Sequence, residues 1–361
     1  MSMLFQPITI GSMTVKNRFV RSATNDYLTN PDGGISEQEL ALYEELAKQQ
    51  VGLVISGHTY VQHPLGCGSV KQNALYNDDF IEGYRKLAEV VQRHGSKLVV
   101  QISHAGRQIA PDKKDLQPIA PSPVTDASIG VTPRAMTEEE IIGLIEAFVQ
   151  AVVRTKQAGC DGVQIHIAHG YCLSNFISPY TNRRTDKWGG SIENRTRILR
   201  EIVVLSRQAV GDKYPILVKL NSTDGKSGPE YLSLEDVVYT AKMLEAAGVS
   251  AIEVSGGIRE FKNTMSAVGI KQPDQEAYFA EACKAVKAAV QVPVILVGGL
   301  RSLSVMETVV ASQVADMVSL SRPFIKEPDL VVKLKGGQDK VQCISCNACF
   351  NPQGLACYAK L

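Results

Sequence analysis

Short runs of β-branched and apolar residues recur along the chain at residues 18–22, 52–56, 97–102, 162–167, 216–220, 251–255, 292–297 and 316–320. Each run is apolar on both faces, as a strand is when it lies in a parallel sheet with helices on one side and a packed interior on the other. Between the runs, apolar residues fall at helical spacing near 36–49, 78–94, 137–158, 191–210, 233–247, 274–289, 302–312 and 327–334. Several of these stretches open on a hydroxyl residue with an acid three positions on: Ser36 with Glu39, Thr137 with Glu140, Ser233 with Asp236. In that arrangement the side-chain oxygen caps an orphan backbone N–H. Eight βα units without a sequence repeat predict an α/β fold, a (β/α)8 TIM barrel, with a doubly wound sheet as the alternative.

Length agrees with this reading, since 361 residues suit one such barrel with insertions. We expect a barrel over 1–335 and a cysteine-rich tail over 336–361. With a formal net charge of +1 and 21% charged residues, nothing in the composition suggests a nucleic acid or an anionic membrane surface as partner. The first ten residues lack the basic segment and apolar core of a secretory signal, and no apolar run reaches membrane-spanning length. A cytoplasmic location and a small-molecule partner are the expectations.

In a barrel, chemistry gathers at the C-terminal ends of the strands. Those ends read Ala23-Thr24-Asn25-Asp26-Tyr27, Gly57-His58-Thr59-Tyr60, Gln101 with Ser103-His104-Ala-Gly-Arg107, His166-Ile-Ala-His-Gly-Tyr171, Lys219 with Asn221, Ser255-Gly-Gly257, Gly298-Gly-Leu-Arg301 and Ser321-Arg322-Pro323. The fourth puts two imidazoles and a phenol into six residues, a concentration of groups that bind oxygen and move protons. A polar segment, residues 178–190, follows, and a segment of that length is usually functional. The last two ends suit an anion: Gly298 and Gly299 let backbone N–H groups approach it, and Arg322 or Arg301 can neutralise it.

Taken jointly, Lys16-Asn-Arg18, Gln101 to Arg107, Ala120-Pro-Ser122 and the block His166 to Arg195, with Arg184-Thr-Asp186, Gly189-Gly190 and Glu193-Asn-Arg195, resemble the old yellow enzyme family of flavin-dependent oxidoreductases. The resemblance extends over nearly the whole chain. It implies FMN as cofactor, NADH or NADPH as reductant, and an α,β-unsaturated carbonyl compound as substrate, in ping-pong alternation. Ala23, Thr24, Gly57 and Gln101 then match positions around the flavin ring, and Gly298, Gly299, Ser321 and Arg322 those near its phosphate. Lys219 stands where many members have Arg, beside the edge of the ring that gains negative charge on reduction. His166 and His169 match the pair that holds the substrate carbonyl oxygen, Tyr171 the proton donor, and Tyr27 a tyrosine that touches substrate. His58, His63, His94 and Arg107 are read as structural or solvated. Homo-oligomers are common in the family.

Four of the eight cysteines crowd the tail, Cys343-x2-Cys346-x2-Cys349-x7-Cys357. Thiolates at such spacing suit a [4Fe-4S] cluster or a structural zinc, with a metal-free tail as the remaining reading. The tail resembles that of 2,4-dienoyl-CoA reductase and trimethylamine dehydrogenase, which favours the cluster and a redox partner. Both of those are longer, with a further nucleotide-binding region that the sequence to Leu361 does not include. Three alternatives stay open at this level: amine dehydrogenation, electron transfer through the tail, and a flavin-free barrel lyase with Lys219 as Schiff-base nucleophile.

Overall fold

The eight apolar runs become eight parallel strands: β1 (Phe19–Arg21), β2 (Leu53–Ile55), β3 (Lys97–Ser103), β4 (Gly162–Ile167), β5 (Ile216–Asn221), β6 (Ala251–Ser255), β7 (Val294–Val297) and β8 (Met317–Leu320). Each pairs with the next in sequence, and β8 returns to β1 through Val318 opposite Phe19, so the sheet closes into a (β/α)8 barrel with no open edge. The structure is a computed structural model, and it describes residues 2–359 except 114 and 352.

An unforeseen element fills the barrel floor. An antiparallel hairpin, Ile8–Ile10 with Met13–Val15, carries Ile10, Met13 and Val15 against Val20, Leu53, Val99, Leu217, Ala251, Ile295 and Met317. Above that apolar layer, the alternation of side chains along a strand brings polar residues inward two positions further on: Gln101 after Val99, Lys219 after Leu217, Glu253 after Ala251 and Ser319 after Met317. The floor is greasy and the mouth is polar.

Outside lie the helices α1 (Glu37–Lys48), α2 (Ile81–Gln92), α3 (Glu138–Gln157), α4 (Arg197–Val210), α5 (Leu234–Ala246), α6 (Ala280–Ala289), α7 (Leu303–Ala311) and α8 (Leu330–Lys335). Ser36 and Thr137 form complete capping boxes with Glu39 and Glu140, whereas Ser233 accepts from the Asp236 amide without a reciprocal bond. Along α3, Ile141, Leu144, Ile145, Phe148 and Val152 are buried at helical spacing, and each contributes about 1.5–3 kcal/mol by leaving water.

Two helices start later than the periodicity suggests. The stretch from 274 begins instead with a 3-10 turn, Pro273–Gln275, and α6 opens only at Ala280. Between them the Glu276 carboxylate accepts from the Arg301 and Ser302 amides and the Ser302 hydroxyl, and so is committed to the loop after β7. The stretch from 327 opens only at Leu330, as α8, after a separate short helix, Arg322–Lys326, with Pro323 in its first turn. Residues beyond α8 run back over the barrel mouth, where Val341 donates to the Arg301 carbonyl and the Ser345 carbonyl accepts from Gly269. Among the described residues, no helix is long and apolar enough to cross a membrane.

Candidate active site

A cavity of about 910 Å³ opens at the C-terminal ends of the strands, a volume in the range of small-molecule sites. Beneath it, the inward polar layer forms one connected network. Lys219 donates to the Ser22 hydroxyl at 2.7 Å and pairs with Glu253 at 3.2 Å. Glu253 in turn accepts from Ser22, Ser319 and Gln164, each at 2.8 Å, and Gln164 accepts from Gln101 at 2.7 Å. All these groups are buried. Lys219 Nζ is thus engaged in the floor by Glu253 and Ser22, whereas a Schiff-base nucleophile must be free to attack a carbonyl, which counts against the lyase alternative.

The four rings on the other side converge. The centroid of His166 lies 5.2 Å from those of both His169 and Tyr171, and that of His58 lies 5.1 Å from Tyr171 and 6.4 Å from His166. His169 occupies the left-handed region at φ 66° and its Nε2 meets the Ser255 hydroxyl at 2.7 Å, while the Nδ1 of His166 is buried without a partner among the described residues. Burial, then the neighbouring Lys219 and His58, brings the pKa of His169 down to about 3, and burial and the same neighbourhood push His166 well below the ordinary range. Burial raises Tyr171 to about 12. The imidazoles are therefore neutral and the phenol protonated at physiological pH, a set of polar groups that can bind an oxygen and give up a proton.

His58 was read from the sequence as structural, yet it lines the cavity beside Tyr171, held by Gln72 at 3.1 Å from its Nδ1. Its position next to Gly57 at the end of β2 was the available signal. Tyr27, at φ 60°, also lines the cavity, as do Ala23, Thr24 and Gln101. Gly57 does not; it sits behind Thr24, where a Cβ would come 3.0 Å from the Thr24 carbonyl oxygen.

At the far end the cavity is bounded by Gly298 (φ 146°), Gly299 (φ 69°), Ser321 and Arg322. Thr24 and Ser321 share a 2.7 Å hydroxyl contact, and Arg322 donates to the Ala267 carbonyl at 2.9 Å and to Asn347 at 2.6 Å. Arg301, offered by the sequence as an equal anion partner, turns away and donates to the Ile270 carbonyl. The polar segment 178–190 is scaffold in this structure. Arg184 donates to the Pro121 and Met136 carbonyls, and Asn182 to those of Phe176 and Trp188, which fixes the segment on the barrel.

In the tail, Cys343, Cys346, Cys349 and Cys357 line one recess together with Arg322, and Cys349 also lines the main cavity. Among the described residues, no three His, Cys, Asp or Glu side chains are grouped so as to hold a single metal ion.

Comparison with known proteins bears on this geometry. Residues 3–340 match the NADH:flavin oxidoreductase / NADH oxidase family. The chain belongs to that family. It is 40% identical to an NADH oxidase of Thermoanaerobacter brockii over 347 residues, 95% of this chain and 52% of that protein. A structure of 2-naphthoyl-CoA reductase with 2-naphthoyl-CoA superposes with a TM-score of 0.90 at 32% identity, over 96% of this chain and 54% of the other. An old yellow enzyme homologue from Zymomonas mobilis superposes over 99% of both chains with a TM-score of 0.79 at 25% identity. The chain thus spans about half the length of the NADH oxidase and reductase it matches, and the whole of an old yellow enzyme.

The resemblance to old yellow enzymes read from the motifs therefore holds, and the barrel is that of the NADH:flavin oxidoreductase / NADH oxidase family. Its residues fit FMN on their own chemistry. The cavity is large enough and carries a charged ammonium at Lys219 on its floor. Two glycines with positive φ stand beside Arg322 where an anion is expected, and the Nδ1 of His166 is an unpartnered polar atom.

Proposed function

We propose that this chain forms an FMN-dependent NAD(P)H oxidoreductase of the ene-reductase type, acting on the C=C bond of α,β-unsaturated carbonyl compounds. The convergence of His166, His169 and Tyr171 on one cavity, above the cationic Lys219, is the observation that carries this reading. Ala23, Thr24, Gln101 and Lys219 would hold the FMN ring, with Gly57 setting the backbone behind Thr24, and Gly298, Gly299, Ser321 and Arg322 its phosphate. The chemistry that bound FMN would supply is hydride transfer, from NADH or NADPH to the β-carbon of the alkene.

The chain's own residues do the rest. Neutral His166 and His169 offer N–H groups to the carbonyl oxygen, which becomes enolate-like as the reaction proceeds, so their stabilisation is greatest in the transition state. Tyr171 holds its proton to about pH 12 and delivers it to the α-carbon. Tyr27 bounds the space left for substrate. The 2-naphthoyl-CoA of the structural neighbour is itself a carbonyl compound conjugated with an unsaturated ring, which supports the substrate class. The test is anaerobic: NADH or NADPH should bleach the flavin absorbance of the FMN-loaded protein, and an enone should restore it. A flavin that is not bleached, or not restored by any enone, contradicts the reading.

A second site accompanies it. The four tail thiols line one recess, and a [4Fe-4S] cluster gives each thiolate its own iron, so the sulfurs need not meet at one point. We read Cys343, Cys346, Cys349 and Cys357 as ligands of such a cluster, which would exchange electrons with a redox partner. Cys349, shared by recess and cavity, brings the two sites together. Anaerobically purified protein should contain about four iron and four sulfide per chain, and Cys346→Ser should lower both; zinc or no metal at all contradicts the assignment.

A further inference from the structure

Three cationic side chains line the main cavity, Lys219, Arg322 and Arg259, and among the described residues no aspartate or glutamate lines it. Two of the three are committed. Lys219 is paired with Glu253 in the floor, and Arg322 is held by Asn347 and the Ala267 carbonyl at the anion end. Arg259 is different: it is exposed, among the described residues it has neither a carboxylate nor a carbonyl partner, and it lines the cavity together with Tyr27, His169 and Tyr171.

The backbone that presents Arg259 is fixed on both sides. Ile258 forms a β-bridge with His169, and the Gly257 amide donates to the Thr223 carbonyl at 2.7 Å. On the other side, Glu260 accepts from buried Arg107 at 2.7 Å, from the Tyr180 hydroxyl at 3.0 Å and from the Ala127 amide at 3.3 Å. The neighbouring carboxylate is thus consumed by a buried guanidinium, and Arg259 is left with its charge free. That charge opposes burial at the Tyr171 phenol, as a guanidinium facing the same space does. An unpaired guanidinium carried on a fixed backbone, in a cavity without acids, is a ready partner for a planar anion.

We propose that Arg259 is the anion-recognition residue of the substrate pocket, and that the alkene reduced here belongs to a molecule with a carboxylate at the end remote from its conjugated carbonyl. The assignment rests on the ene-reductase reading above. It makes Arg259 a specificity residue: the anion fixes the far end of the substrate while His166 and His169 fix the carbonyl.

A matched pair of probes tests it, 4-phenylbut-3-en-2-one and the same enone with a carboxylate para on the ring, each offered to the FMN-loaded protein reduced with NADPH. The wild-type kcat/KM should favour the carboxylate by about ten- to a hundredfold, the worth of one charged hydrogen-bonded pair. Arg259→Gln should collapse that ratio towards unity and Arg259→Lys should keep part of it. Equal use of both probes by the wild type, or a ratio unmoved by Arg259→Gln, overturns the proposal. A loss confined to flavin reduction by NADPH also overturns it, and gives the guanidinium to the phosphates of the dinucleotide. If neither probe reoxidises the reduced flavin, the ene-reductase reading itself fails.

Discussion

Lys219 and Glu253 are directly opposed across β5 and β6, with their charged ends 3.2 Å apart and both side chains buried. A buried ion pair repays its desolvation only when its remaining hydrogen-bonding positions are filled. Here Ser22, Ser319 and Gln164 fill those of the carboxylate, and the Ser22 hydroxyl also accepts a hydrogen bond from Lys219. The lysine proposed to stand beside the edge of the flavin ring is therefore held by the scaffold before any cofactor arrives.

Glu253→Gln leaves the Lys219 ammonium buried without a counter-charge and should cost about 3–5 kcal/mol. Urea unfolding of the cofactor-free protein measures this, and Lys219→Met in the same chain should recover part of the loss. Burial alone would raise the Glu253 carboxyl, but Lys219 and the three hydrogen bonds outweigh it and hold its pKa below the ordinary carboxylate range. The stabilisation is thus present above the unfolded value and is lost as pH falls through the folded one. An unchanged stability in Glu253→Gln would show that the pair contributes nothing to holding the barrel floor.

The histidines give a separate acid dependence. Burial, then Lys219, lowers His58 to about 4; burial lowers His104 to about 3; His169 lies at about 3 and His166 well below the ordinary value. Between the unfolded pKa of about 6.5 and these folded values the unfolded chain binds more protons, so stability rises with pH. Each histidine contributes about 1.4 kcal/mol per pH unit in that window. Urea midpoints should fall steeply from pH 6.5 to pH 4. His104→Gln, which removes a titrating group outside the cavity, should flatten the slope by one histidine's share.

Gly68 controls the phenol. A Cβ at this position would come 2.8 Å from Tyr171 Cε1 and 3.2 Å from the Gln108 carbonyl oxygen, so Gly68→Ala must displace the ring. A shift of about 1 Å in a reacting group can cost on the order of a hundredfold in rate. Rapid-mixing kinetics of Gly68→Ala should show slower flavin reoxidation by an enone, with flavin reduction by nicotinamide little affected.

The barrel was legible because eight apolar runs with helical partners leave few topologies open, and the strand ends follow from it. His166, His169, Tyr171, Gln101 and Lys219 were found this way, and the structure gathers them around one cavity. What was missed depends on the direction of side chains. The lone acid Glu253 inside the run Ala251 to Ser255 was visible, but only closure of the barrel brings it against Lys219. His58 reads as any loop histidine until Gln72 orients it. Arg301 and Arg322 follow equally suggestive glycine and serine turns, and it is the loop before α6 that claims the first for Ile270. The hairpin in the floor went unread because its strands are only three residues long.

The most direct test of the account is stopped-flow comparison of Tyr171→Phe with the wild type in the two half-reactions. In the proposed mechanism the phenol takes part only in protonating the α-carbon, so flavin reduction by NADH or NADPH should proceed at close to the wild-type rate. Reoxidation of the reduced flavin by an enone should slow by about a hundred- to ten-thousandfold. Equal slowing of both half-reactions, or no slowing of reoxidation, would contradict the role of Tyr171 and with it the ene-reductase chemistry proposed for this site.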